Sequence, residues 1–157
     1  MEAIAGALGH PITLQGRTRH SFPTASEVAR AGEQFLRDLG LGFRAKYLSY
    51  AAIQVAEGSI DLEELRLMPY SKAKAKLTAL PGVGPKIADC VLVFSLDKLE
   101  AFPIDRWVGR AMREWYLDGE DMSYEQLVLW AQDYFGPHAG YAQQYLFHGR
   151  RLSGNAA

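Results

Sequence analysis

The sequence predicts an all-α fold, an orthogonal bundle of helices, and three observations predict it. Helix start and stop signals recur along nearly the whole chain, with Thr24-Ala25-Ser26-Glu27 forming a capping-box pattern and Pro85 placed for a first helical turn. No alternation of apolar and polar residues persists long enough to name a sheet. The connections vary in length and the glycines do not recur at a fixed period, which excludes a solenoid.

Taken in order, Met1 to Phe22 reads as the end of a preceding helix plus a loop, with Ile12 to Leu14 as its one candidate for extended chain. The main domain is expected over residues 23–152. Its first helix follows Thr24, and Gly40 and Gly42 punctuate the boundary before a helix from about Phe43 to Ala56. Asp61-Leu62-Glu63-Glu64 starts a short helix that must end before Pro69, and Ser71 is expected to cap a run to Ala79. A glycine-rich hairpin then leads into a helix reaching about Leu96. Asp105 suits an N-cap, and helices are expected near 106–116, 124–135 and 138–150. Residues 153–157 are expected to form a flexible tail.

A chain of 157 residues with 48% hydrophobic content suits one domain with an ample core. The single cysteine, Cys90, excludes an internal disulfide and a four-cysteine iron–sulfur cluster, and points to a reducing compartment. No signal peptide or membrane-length apolar run is present, so a soluble, cytoplasmic monomer with no membrane partner is expected. The net charge of −1 argues against a general nucleic-acid scavenger. Charge is unevenly placed, however. Between Tyr70 and Tyr116 eight basic residues face five acidic ones, a local excess suited to a small footprint on a few phosphates.

The stretch Leu80-Pro81-Gly82-Val83-Gly84-Pro85-Lys86-Ile87-Ala88-Asp89-Cys90 concentrates the chemistry. A tight turn over Pro81, Gly82, Val83 and Gly84 between two helices points backbone N–H groups outward, which grips a phosphate without reading sequence. Lys86 falls in the first turn of the following helix, where the positive end of the macrodipole disfavours an ammonium, and an amine kept neutral is a nucleophile. Its plainer reading is a phosphate-binding lysine. Asp105, nineteen residues on, is either an acid/base partner or an N-cap alone. The four histidines show no metal-ligand spacing with the cysteine.

These residues resemble the helix-hairpin-helix DNA glycosylase superfamily, and within it the 8-oxoguanine DNA glycosylase/AP lyase branch, over about Phe22 to Arg150. Four motifs carry the resemblance in order: Leu39-Gly40-Leu41-Gly42-Phe43-Arg44-Ala45-Lys46-Tyr47, the hairpin, Phe102-Pro103-Ile104-Asp105, and Gly136 to Phe147 with Gln143 inside it. The resemblance implies the catalytic helical domain of a base-excision-repair enzyme that removes 8-oxoguanine or a related oxidised purine from duplex DNA. Lys86 would form the Schiff base and Asp105 would stabilise the sugar cation. Cys90, Gln143 and Phe147 would enclose the flipped base, and Arg44 would contact the base left opposite. Pro81 to Gly84 would hold the DNA backbone. No cofactor is implied, although a structural monovalent or divalent cation would sit on the carbonyls of Thr78, Leu80 and Val83.

From the residues alone, Gln143 and Phe147 on one helical stripe also suit rim and core, Cys90 a buried structural thiol, and Arg44 an ordinary surface cation. The partner expected throughout is double-stranded DNA with a damaged base or an abasic site. Two other readings remain open, a non-enzymatic DNA-binding fragment that keeps the hairpin and a glycosylase for other damaged or alkylated bases.

Overall fold

Thr24 and Glu27 close the expected box reciprocally. The Glu27 N–H donates to Thr24 Oγ1 at 3.3 Å, and the Thr24 N–H donates to Glu27 Oε2 at 2.7 Å. This fixes the start of α2 (Ala25–Leu36). The computed structural model describes residues 1–153, so the expected tail beyond Ser153 lies outside the described residues. The chain falls into two compact units, each with its own interior.

The first unit comprises residues 1–62 and 80–82. It contains α1 (Glu2–Leu8), α2 and α3 (Arg44–Ala56), the last two joined by a wide turn over Arg37–Leu41. Gly40 and Gly42 have φ of 86° and 56°, so the expected boundary is built on two left-handed residues. Val28, Leu36, Ala45 and Ala52 are buried between α2 and α3, with Leu8 of α1 packed against them.

Here the sequence reading needs a partial correction: Ile12 to Leu14, its one candidate for extended chain, does lie in a strand, but the segment around it expected to be a loop is a β-hairpin. β1 (Pro11–Leu14) pairs antiparallel with β2 (Arg17–His20), placing Ile12 opposite Arg19 and Leu14 opposite Arg17. Gln15 and Gly16 turn the chain with φ of 49° and 72°, the doubly left-handed geometry that matches strand twist. Every strand residue is exposed. A hairpin that buries neither face leaves no alternation in the sequence, which is why it escapes a reading based on periodicity.

The second unit comprises residues 63–79 and 83 onward. It holds α5 (Tyr70–Thr78), α6 (Pro85–Ser95), α7 (Arg106–Trp115), α8 (Tyr124–Phe135) and α9 (Ala139–Ser153); the short α4 (Leu62–Leu67) leads into it. Helix α5 begins at Tyr70 behind Pro69, and Ser71 is inside the helix rather than its cap. Proline fixes φ at the entry, so the helix starts without a side-chain cap. Phe102, Val108, Met112, Ala131 and Leu146 form the interior, with Phe102 stacked on Phe135 at 5.9 Å.

A second element holding this unit together is polar. Asp89 of α6 is wholly buried and accepts from Tyr70 Oη at 2.7 Å, Tyr124 Oη at 2.7 Å and Lys74 Nζ at 2.8 Å. One carboxylate therefore ties α5, α6 and α8 together. Its charge is tolerable in the interior because an ammonium and two phenols satisfy it.

Candidate active site

Helix α6 opens directly from the hairpin. Gly84 is its N-cap with extended backbone, Pro85 occupies the first turn, and no side chain caps the remaining N–H groups. Of the two hairpin glycines only Gly82 has left-handed backbone, at φ 81°. Gly84, at φ −82°, adopts a conformation open to any residue.

Lys86, Cys90 and Phe94 follow one another at four-residue spacing on α6, and so share a face. Asp105 caps α7, its Oδ1 accepting from the N–H groups of Trp107 and Val108, both at 2.9 Å. The two bonds fix the carboxylate's direction. Helix α9 contributes Gln143, Gln144 and Phe147. With Pro103 these side chains line one cleft of about 200 Å³.

Lys86 is exposed and Cys90 half-buried. Gln143 is 5% exposed, and its side-chain oxygen accepts from the Gln144 amide. Phe147 is half-buried. It lines the cleft and also packs against the interior around Leu146, so pocket wall and core are the same ring. The Phe147 and His148 rings meet edge-on with centroids 5.6 Å apart, and the Arg151 guanidinium lies 5.9 Å from the Phe147 centroid.

The structure thus brings together five of the residues singled out from sequence: Lys86, Cys90, Asp105, Gln143 and Phe147. Phe94 was missed, although its position eight residues beyond Lys86 on the same stripe was a readable signal, and it is 58% exposed. Arg44 belongs to the first unit, at the start of α3, where its guanidinium stacks 4.7 Å from the exposed Phe43 ring. Thr78 ends α5 and donates through Oγ1 to the Lys74 carbonyl at 2.9 Å. Among the described residues, no group of three or more histidine, cysteine or acidic side chains could hold a metal ion.

No family model matches the chain. Known proteins do. Over 98% of its length it is 33% identical to a probable N-glycosylase/DNA lyase of Methanothermobacter thermautotrophicus, covering 55% of that protein. Over 94% it is 34% identical to the N-glycosylase/DNA lyase OGG1 of Arabidopsis thaliana, covering 43%. The structure superposes, with a TM-score of 0.91, on the 8-oxoguanine glycosylase/lyase of Clostridium acetobutylicum bound to double-stranded DNA with cytosine opposite 8-oxoguanine. There the identity is 32%, and the match covers 98% of this chain and 52% of that one. The chain belongs to the helix-hairpin-helix DNA glycosylase superfamily, in its 8-oxoguanine branch.

It spans about half the length of the family members it matches. The hairpin leads straight into the helix that carries Lys86, with only Pro85 between Gly84 and the lysine. No helix among the described residues is long and apolar enough to cross a membrane.

Proposed function

We propose that this chain is the catalytic helical part of a bifunctional DNA glycosylase/AP lyase that removes 8-oxoguanine, or a related oxidised purine, from duplex DNA. The observation that carries the reading is the sharing of one cleft by Lys86, Asp105, Gln143 and Phe147. A base stacked in a duplex cannot be reached at its glycosidic bond, so it must be flipped into such a cleft.

In this reading the Lys86 amine attacks C1′ as the C1′–N bond to the base breaks, and the base leaves with the bonding pair. Asp105 stabilises the positive charge that develops on the sugar and assists the proton transfers. Opening of the sugar ring gives an imine between Lys86 and C1′. Loss of a C2′ proton then expels the 3′ phosphate with the C3′–O electron pair, which nicks the strand. No external cofactor enters any step. Phe147 stacks on the flipped base, the Gln143 amide meets its polar edge, and Cys90 closes the opposite wall.

The hairpin residues Pro81 to Gly84 and the uncapped first turn of α6 suit a phosphate. Arg44 is assigned to the base opposite the lesion. The carbonyls of Thr78, Leu80 and Val83 are neutral oxygen donors of the kind a hard cation takes, and a cation there would pull a DNA phosphate toward the hairpin. The setting implied is the cytoplasm, at the nucleoid in a prokaryote.

Borohydride trapping on duplex DNA containing 8-oxoguanine tests the reading. Wild-type protein should form a covalent adduct and nick the strand, and Lys86→Gln should do neither while keeping most of its duplex affinity. Nicking by Lys86→Gln would remove Lys86 as nucleophile. Binding with no adduct from the wild type would make the chain a DNA-binding module instead.

A further inference from the structure

Asp89 takes no part in the reaction drawn above, yet it is the one acidic residue of α6, the helix that carries Lys86. Among the described residues it is also the one buried carboxylate. It follows Lys86 by three positions, so the two side chains leave the helix about 60° apart. Lys86 and Cys90 turn to the cleft, while Asp89 is buried with Ala88 and Leu92 and lines no part of it. Because the cleft side is open, α6 must be held from its other side.

Burial of Ala88 and Leu92 draws α6 inward, but apolar burial is non-directional and sets no fixed rotation about the helix axis. The hydrogen bonds to Asp89 are directional, and they engage both of its oxygens. Tyr70 Oη donates to Oδ1, and Lys74 Nζ and Tyr124 Oη donate to Oδ2. Lys74 also donates to Tyr70 Oη at 2.9 Å, and its ammonium lies 5.3 and 5.5 Å from the Tyr70 and Tyr124 ring centroids. A carboxylate gripped in this way from α5 and α8 cannot turn without breaking a charge-assisted bond where water is scarce to replace it.

We infer that Asp89 is a positioning residue: through Tyr70, Lys74 and Tyr124 its carboxylate fixes the rotation of α6, and with it the direction from which Lys86 enters the cleft. The inference rests on the lysine reading above and deepens it. Attack at C1′ needs the amine within about 3–3.5 Å of the reacting carbon and in line with the breaking bond. The lysine stem is flexible, so the part of its approach that the fold controls is the place and direction of its Cα. A small turn of α6 carries that point away from the sugar.

Borohydride trapping with 8-oxoguanine duplex in saturating excess tests this on wild type, Asp89→Asn, Tyr70→Phe and Val128→Ala, the last a buried residue of α8 outside the cleft lining. Amplitude and rate constant separate positioning from folding. A residue that only stabilises the fold lowers the fraction of protein able to react, and each folded molecule still reacts at the wild-type rate. Asp89→Asn should slow the rate constant about 10- to 100-fold. Tyr70→Phe should slow it by a smaller factor, and Val128→Ala should leave it unchanged even where its amplitude falls. Should Asp89→Asn fail to fold, Tyr70→Phe carries the test, since it leaves the carboxylate paired with Lys74. Wild-type rate constants in Asp89→Asn and Tyr70→Phe overturn the inference, as does equal slowing in Val128→Ala.

Alkylation of Cys90, the chain's single cysteine, by iodoacetamide without DNA reads α6 independently of the chemistry. Cys90 shares the Lys86 face, so its native alkylation rate should rise several-fold in Asp89→Asn and Tyr70→Phe but not in Val128→Ala. No adduct from wild type, with alkylation altered in this pattern, sinks the enzyme reading and keeps the positioning role of Asp89. A wild-type adduct, with rate constants and alkylation unchanged in the variants, sinks only the positioning role.

Discussion

Gly82 and the Tyr47 ring leave each other no room: a Cβ on Gly82 would lie 2.4 Å from Tyr47 Cγ and 2.7 Å from both Cδ atoms. Gly82 also has φ of 81°, so backbone and packing independently demand glycine there. Gly82→Ala should therefore lower stability by about 1–3 kcal/mol, from left-handed strain and displacement of the ring. A melting curve checks this, and removing the ring with Tyr47→Ala in the same chain should recover part of the loss. Full stability in Gly82→Ala would mean that the hairpin moves freely away from Tyr47.

Gly84→Ala should behave differently. Its φ of −82° suits alanine, and a Cβ there meets nothing within 4 Å. Stability should change by less than about 0.5 kcal/mol. Affinity for any duplex should still fall, because a methyl group at the N-cap of α6 would stand where a phosphate must approach the backbone. Fluorescence anisotropy with an undamaged duplex measures this, and unchanged affinity would take Gly84 out of the interface.

The Asp89 cluster should respond strongly to loss of its charge. Asp89→Asn keeps the shape but leaves Lys74, whose side chain is only 22% exposed, beside a neutral amide. Breaking a buried pair from one side costs about 3–5 kcal/mol. Urea denaturation should show a loss of that order. A loss under 1 kcal/mol would mean that Lys74 swings out to water at little cost.

The same cluster sets an alkaline limit. Burial, and then the hydrogen bond to Asp89, push the phenols of Tyr70 and Tyr124 well above the ordinary tyrosine range. Unfolded, both would ionise near pH 10, so the stability they contribute is intact below that pH and is lost as pH rises above it. Of the eight tyrosines, these two should ionise last, and only as the fold opens. Phenolate absorbance followed against pH, beside far-ultraviolet circular dichroism, would show it. All eight ionising before any loss of helix would refute the prediction.

What could be read from the sequence was whatever is local. Lys86, Cys90 and Phe94 share a face by spacing alone, and Asp105 announces a cap because a short carboxylate before a helix has few other conformations. The Asp89 cluster could not be read this way, because its partners lie 15, 19 and 35 residues away on other helices. A lone acid within Ile87-Ala88-Asp89-Cys90-Val91-Leu92 was the available hint, since an apolar run tolerates a carboxylate only with partners. The hairpin over Pro11 to His20 gave less still, because strands exposed on both faces impose no pattern. Family resemblance added roles for Gln143 and Phe147 that spacing alone would have assigned to rim and core.

Phe147 and Gln143 separate the pocket from the interior most sharply. Because Phe147 lines the cleft and packs on the core at once, Phe147→Ala should reduce excision and also cost stability, somewhat below the roughly 3–5 kcal/mol of a fully buried phenylalanine. Phe147→Leu distinguishes the two roles. It restores most of the apolar contact but has no ring to stack, so melting should return close to wild type while single-turnover excision stays low, by up to about 1–3 kcal/mol in transition-state terms. Gln143 is buried, but the partner its oxygen accepts from is the neighbouring Gln144, so Gln143→Ala should melt within about 1 kcal/mol of wild type. Its excision of 8-oxoguanine should fall while affinity for undamaged duplex holds. Normal excision by both Phe147→Leu and Gln143→Ala, with a large stability loss in Phe147→Ala, would make this stretch of α9 core alone and move base recognition to the Cys90 and Phe94 side of the cleft.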